Sequence, residues 1–231
     1  MKKQSTIQIN NVWKKYDMGK AGPLVVLKEI NLEINKGDFI AIAGPSGSGK
    51  STMMNIVGAL DIPSLGEVYL EGKDISKMSE SSLANLRGKT IGFIFQQFNL
   101  LPTLSALQNV MLPMEMINIP EREAKERATK ILTELGLGER LDHKPNELSG
   151  GQQQRVAIAR SLSNNPEIIL ADEPTGNLDS KSGRFVINFL KKLNEEGKTI
   201  ILITHDMELV KDSRKIVYLK DGEIEKEVIN K

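Results

Sequence analysis

The chain has 231 residues, with 31 basic against 30 acidic side chains, aromatics at only 4% and no cysteine. That length fits one domain, or one core with a smaller insert. The near-neutral balance gives no counterion argument for nucleic acid and no pull towards an anionic membrane. The few aromatics argue against base-stacking platforms, and the lack of cysteine excludes disulfides, thiolate catalysis and Cys-ligated metals.

The first six residues, MKKQST, carry no apolar signal-peptide core, and no apolar run approaches the roughly 18 residues needed to cross a bilayer. The expectation is a soluble, unexported protein with no direct membrane insertion, whose link to any membrane runs through another chain. Residues 5–12 alternate like a half-buried strand, and 25–34 repeat that period after a turn region at 19–23, which predicts an antiparallel pair. Tyr16 lies between them. It could stack on a purine or simply pack at the surface.

Residues 39–43 (FIAIA) form a short buried strand, followed by Gly44-Pro45-Ser46-Gly47-Ser48-Gly49-Lys50-Ser51-Thr52 and then an apolar helix from residue 53. This is GxxxxGK[ST] between a strand and a helix, the context that a phosphate cradle needs. Glycines at 47 and 49 let successive N–H groups point at one anion, and the helix adds its positive N-terminal end. Lys50 can reach the outer phosphates and the Ser51 hydroxyl can ligate Mg²⁺.

Residues 66–72 read as a strand closed by a turn, 79–87 as a short helix, and 91–95 as a buried strand that delivers Gln96 at its carboxyl end. There Gln96 either faces a nucleotide or only caps the strand. From Phe98 to Pro120 the chain is apolar and broken by Pro102, Pro113 and Pro120, and residues 121–136 are amphipathic, with Ala124, Ala128, Ile131, Leu132 and Leu135 on one face. The leucines and methionines between 100 and 116 are core, or else the wall of a groove for a partner.

Leu148-Ser149-Gly150-Gly151-Gln152 then places a good N-cap and two glycines ahead of a helix, a second helix N-terminus suited to an anion. Residues 166–174 carry a four-residue apolar strand ending in two carboxylates, Asp172 and Glu173. Asp172 suits Mg²⁺ and Glu173 suits a carboxylate that takes a proton from attacking water. Asn177-Leu178-Asp179 opens a turn before an amphipathic helix over 184–193, and 198–204 is a strand ended by His205, able to bind a γ-phosphate or orient water. His143 has no nameable partner. Residues 216–225 read as a hairpin with an Asp221-Gly222 turn.

Taken together and in this order, these motifs resemble the nucleotide-binding subunit of ATP-binding-cassette (ABC) transporters over nearly the whole chain. The resemblance implies an α/β fold: a P-loop NTPase core with a mostly parallel sheet, an N-terminal antiparallel β subdomain and an inserted α-helical subdomain. Residues 1–96 and 161–231 would form the core and about 97–160 the helical part. It also implies ATP and Mg²⁺ as ligands.

Residue by residue, the resemblance makes Tyr16 the adenine-stacking aromatic and residues 44–52 with Lys50 the phosphate cradle. Ser51, Gln96 and Asp172 become the Mg²⁺ contacts, Glu173 the general base and His205 the switch histidine. Ser149, Gly150, Gly151 and Gln152 would meet the γ-phosphate held by the opposite subunit, with Asp179 at the same interface, so that two chains pair head to tail around two ATP molecules.

The stretches at 95–102, 148–160 and 172–179 are most similar to the lipoprotein-release and macrolide-export (LolD/MacB-like) branch. That branch implies an ATPase at the cytoplasmic face of the membrane, bound peripherally to a separate permease and powering export or extraction. The alternative is a regulatory or mechanical ABC ATPase, FtsE-like, that signals through a membrane partner without moving a substrate.

Overall fold

The computed structural model describes residues 5–230; of the N-terminal stretch read above, residues 1–4 lie outside the described residues. In chain order the elements are β1 (Ser5–Asp17), β2 (Pro23–Asn35), β3 (Phe39–Ala43), α1 (Lys50–Val57), β4 (Leu65–Leu70), β5 (Lys73–Asp74), α2 (Glu80–Thr90) and β6 (Ile91–Ile94). They continue as α3 (Ala106–Glu115), α4 (Glu121–Glu134), α5 (Gly150–Leu162), β7 (Ile168–Asp172), α6 (Ser180–Glu195), β8 (Thr199–Thr204), α7 (Met207–Val210), β9 (Lys215–Lys220) and β10 (Glu223–Ile229). The chain forms two compact units, one of residues up to Arg87 together with Asn194 onwards, the other of Gly88–Leu193.

In the first unit, β1 and β2 pair antiparallel, and an antiparallel sheet runs in the order β2-β1-β4-β5. Ile7, Ile9 and Val12 of β1 and Ile30, Leu32 and Ile34 of β2 are buried, so the period-2 pattern selects one face for the core. β3 pairs parallel with β8 on one side and β9 on the other, and β10 runs antiparallel to β9. Every residue of β3 and β8 is buried, which is why both strands read as unbroken apolar runs instead of alternating ones. The β9–β10 turn places Asp221 at φ 50° and Gly222 at φ 83°, the left-handed pair that a two-residue hairpin requires.

In the second unit, β6 and β7 pair parallel, and α3 packs on α4 and α5. Ala124, Ala128 and Leu132 are the buried stripe of α4, as its periodicity predicts. The structure departs from the sequence reading at several points. Tyr16 belongs to β1, which runs through it to Asp17, and is not in a connection between the strands. Pro113 lies inside α3 instead of breaking it; near the helix end a proline withholds only one internal bond, and the helix stops at Glu115. The two-residue β5 and the one-turn α7 carry too few residues to show a period.

Candidate functional site

The first unit holds the phosphate loop. Its helix starts three residues earlier than the apolar pattern predicts, at Lys50, so that Lys50, Ser51 and Thr52 form the first turn. Gly49 is the N-cap at φ 100°, and a Cβ there would also stand 3.1 Å from the Val26 carbonyl oxygen. At Gly44 a Cβ would come within 2.1 Å of the Leu219 carbonyl oxygen, so only glycine lets the loop leave β3 beside β9. Pro45, Ser46 and Gly47 are exposed, whereas Ser48 is buried and its hydroxyl has no hydrogen-bond partner. The Lys50 ammonium donates to the carbonyls of Gly44 and Pro45, both at 2.8 Å. These residues fit a polyphosphate: a loop closed to side chains, free to present backbone N–H groups, with one cation folded across its rim.

His205 belongs to the same unit. Ala43, the residue before the loop, pairs in register with Thr204, so exposed His205 leaves β8 beside the strand end from which the phosphate loop departs. Asp206 follows as the N-cap of α7, accepting from Glu208 N–H. Tyr16 is half-buried. Its hydroxyl donates to Asp61 at 3.3 Å, while Asp61 also takes the buried Lys14 ammonium at 2.7 Å. Lys14 in turn lies 5.1 Å from the Tyr16 ring centroid, so the ring is held by a cation beside it and an acceptor at its tip.

The second unit collects the remaining candidates. Ile94 pairs with Ala171, so β6 and β7 release Gln96 and Asp172-Glu173 from adjacent strand ends. Gln96 is tied to the turn after β7, since Asn177 donates to its carbonyl at 3.0 Å and a Cβ on Gly176 would meet its amide at 2.8 Å. Glu173 is held at φ 43°, a left-handed conformation uncommon for glutamate, in a turn closed by Gly176 N–H to the Glu173 carbonyl at 3.0 Å. Such strain persists only where surrounding contacts over-determine it, and it clusters at functional sites.

Ser149 is the N-cap of α5 in a capping box. Its hydroxyl accepts from Gln152 N–H while the Gln152 side chain accepts from Ser149 N–H. The Gln152 side-chain oxygen is therefore occupied within the cap, and the corner is formed by exposed Ser149 and Gly150 with half-buried Gly151. Asp179 immediately precedes α6, accepting from the Lys181 and Ser182 N–H groups and, at 2.7 Å, from the Ser182 hydroxyl. The Ser182 hydroxyl and backbone hold its carboxyl below the usual carboxylate range. A Cβ on Gly151 would lie 2.5 Å from that same hydroxyl, so Gly151 and Asp179 meet through Ser182.

Three residues escape the sequence reading. Ser182 and Asp61 look like ordinary surface positions. Gln154 sits among three consecutive glutamines and is fully buried, with its amide donating 2.7 Å to the Pro174 carbonyl. The one sequence signal was its place on the apolar side of α5, three and four residues before Ala157 and Ile158. His143 does have a partner, since the Arg140 guanidinium lies 2.7 Å from its Nε2.

Residues 27–176 match the family model described as ABC transporter. An uncharacterised ABC transporter ATP-binding protein of Methanocaldococcus jannaschii, MJ1508, is 57% identical over 97% of this chain and 100% of its own length. The macrolide export ATP-binding/permease protein MacB of Bdellovibrio bacteriovorus is 53% identical over 95% of this chain, which spans only 33% of that longer protein. Among solved structures, the ATP-binding cassette MJ0796, as a dimer in a post-hydrolysis state bound to ADP and Pi, superposes with a TM-score of 0.90 at 49% identity, covering 97% of this chain and 99% of that one. The chain belongs to the ABC transporter family, as an ATP-binding cassette of the MacB and MJ0796 type.

Proposed function

We propose that this chain hydrolyses ATP as a head-to-tail homodimer and drives a separate membrane permease, bound peripherally at the cytoplasmic face, for export or extraction of a substrate. The observation that carries this reading is the pairing of two anion-ready helix starts in one chain. The loop at residues 44–52 fits a polyphosphate, and the Ser149 corner is exposed and braced by Ser182. A polyphosphate held by a second chain is the ligand that this corner fits. The ADP- and Pi-bound dimer of MJ0796 supports the arrangement.

In this scheme the loop amides take the phosphate oxygens, and Lys50 exchanges the Gly44 and Pro45 carbonyls for the outer phosphates. Tyr16 stacks on the adenine. Ser51, Gln96 and Asp172 would hold Mg²⁺, which supplies charge neutralisation on the phosphates when bound. Glu173 aligns a water for in-line attack on the γ-phosphorus and accepts its proton, and the bridging oxygen leaves with ADP. His205 donates to the γ-phosphate. The opposite subunit's Ser149 hydroxyl and Gly150 and Gly151 amides complete the site, with Gln152 closing the cap and Asp179 at the same seam. ATP favours the closed pair more than ADP does, and that differential affinity is the source of work.

Glu173→Gln tests the reading. It should leave ATP binding intact, abolish turnover and give an ATP-dependent dimer on gel filtration. Wild-type turnover in that variant would remove Glu173 from its role. Substrate flux in vesicles holding the permease partner distinguishes transport from signalling.

A further inference from the structure

Gln154 is fully buried on α5, one and a half turns beyond the Ser149 cap, and plays no part in the scheme above. Its Nε2 donates to the Pro174 carbonyl at 2.7 Å, and its Oε1, equally buried, accepts no hydrogen bond. A glutamine kept at full burial with half its amide unsatisfied is a poor core residue, since burying an unpaired carbonyl is unfavourable. What it grips is the residue next to Glu173. Glu173 is in a left-handed conformation, and two contacts bracket it: Gly176 N–H on its own carbonyl, and the Gln154 amide on the carbonyl after it.

Two other contacts join α5 to α6, the helix that follows this turn. Gly151 rests on Ser182, and the Arg155 guanidinium lies 4.1 Å from the Phe185 ring centroid on α6. Of the three, only the Gln154 bond ends beside Glu173. We propose that Gln154 is a positioning residue: its buried amide clamps the strained Glu173–Pro174 turn to α5, so that seating of the Ser149 corner on a phosphate of the opposite subunit sets Glu173 of the same chain. The two ATP sites of a dimer are thereby coupled through each chain's own α5. This rests on the trans-site reading proposed above and adds to it a residue and a route.

The test uses the full chain carrying Gln154→Met, which keeps the length and burial, withdraws the donor and removes the unsatisfied acceptor. ATPase rate is measured against ATP concentration, melting by calorimetry, and ATP-driven dimerisation by gel filtration in the Glu173→Gln background. The expected result is a melting temperature within about 2 °C of wild type, KM for ATP within about two-fold, dimerisation preserved, and kcat lower by about ten-fold. A purely structural role moves the melting temperature and leaves this split absent.

Wild-type kcat in Gln154→Met overturns the proposal, and so does a dimer lost together with kcat. Should that variant fail to fold, Gln154→Asn, one methylene too short to reach Pro174, is held to the same outcomes. If Glu173→Gln itself does not dimerise with ATP, the trans-site reading falls and this coupling with it. If it dimerises while Gln154→Met turns over normally, only the coupling falls.

Discussion

Adding one methyl group at Gly150 or at Gly151 separates helix propensity from steric fit on adjacent residues of the same turn. Alanine is better than glycine in a helix by about 0.5–1 kcal/mol. At Gly150 the new Cβ would meet Phe98 at 3.8 Å, an ordinary contact, so Gly150→Ala keeps that gain. At Gly151 it would stand 2.5 Å from the Ser182 hydroxyl and 3.1 Å from the Ser182 Cβ. Rotating the hydroxyl away breaks its bond to Asp179, and the Cβ contact remains, so overpacking of about 1–3 kcal/mol applies. The two variants should therefore differ by about 1–3 kcal/mol, or about 2–12 °C in melting temperature for a chain of this size. Differential scanning calorimetry reads this directly. Ser182→Gly should cost less in the Gly151→Ala background than in the wild type, as coupled neighbours do. Equal melting temperatures for the two alanine variants, or an equal cost of Ser182→Gly in the two backgrounds, would refute the steric account.

Other outcomes follow from the same contacts. Lys50→Met should weaken ATP binding at least about ten-fold with little change in melting temperature, because its present bonds reach two carbonyls at the loop rim; calorimetric titration checks both. Asp61→Asn weakens the hold on Lys14 and Tyr16 and should raise KM for ATP about three-fold with kcat unchanged; a fall in kcat instead would detach this cluster from nucleotide binding. Asp179 has a folded pKa below its unfolded value, so its contribution to stability is present above about pH 3.9 and is lost as pH falls through the lower folded value. Carboxyl-carbon NMR titration should place its midpoint below the free value, and a midpoint at or above it would contradict the Ser182 contact.

Much of the site was readable in one dimension. The phosphate loop, the Ser149 corner and the Asp172–Glu173 strand end are contiguous, and each owes its chemistry to backbone geometry that neighbouring residues set. The strands of the central layers were readable because burial on both faces demands unbroken apolar runs, as in residues 39–43 and 199–204. Short elements such as α7 and β5 were not, since four residues or two carry no period.

The sequence by itself determined where the glycine-rich loop, the Ser149 cap and the strand end at Asp172 fall and which strands are buried, because these follow from local spacing and side-chain type. Only the tertiary structure decided which distant residues brace those segments. Lys14 meets Asp61 across 47 positions, Gln154 meets Pro174 across 20, and Ser182 fills the space that a side chain at Gly151 would need. Each depends on how strands and helices pack, and a buried amide or a missing methyl has no signature until its neighbour is known.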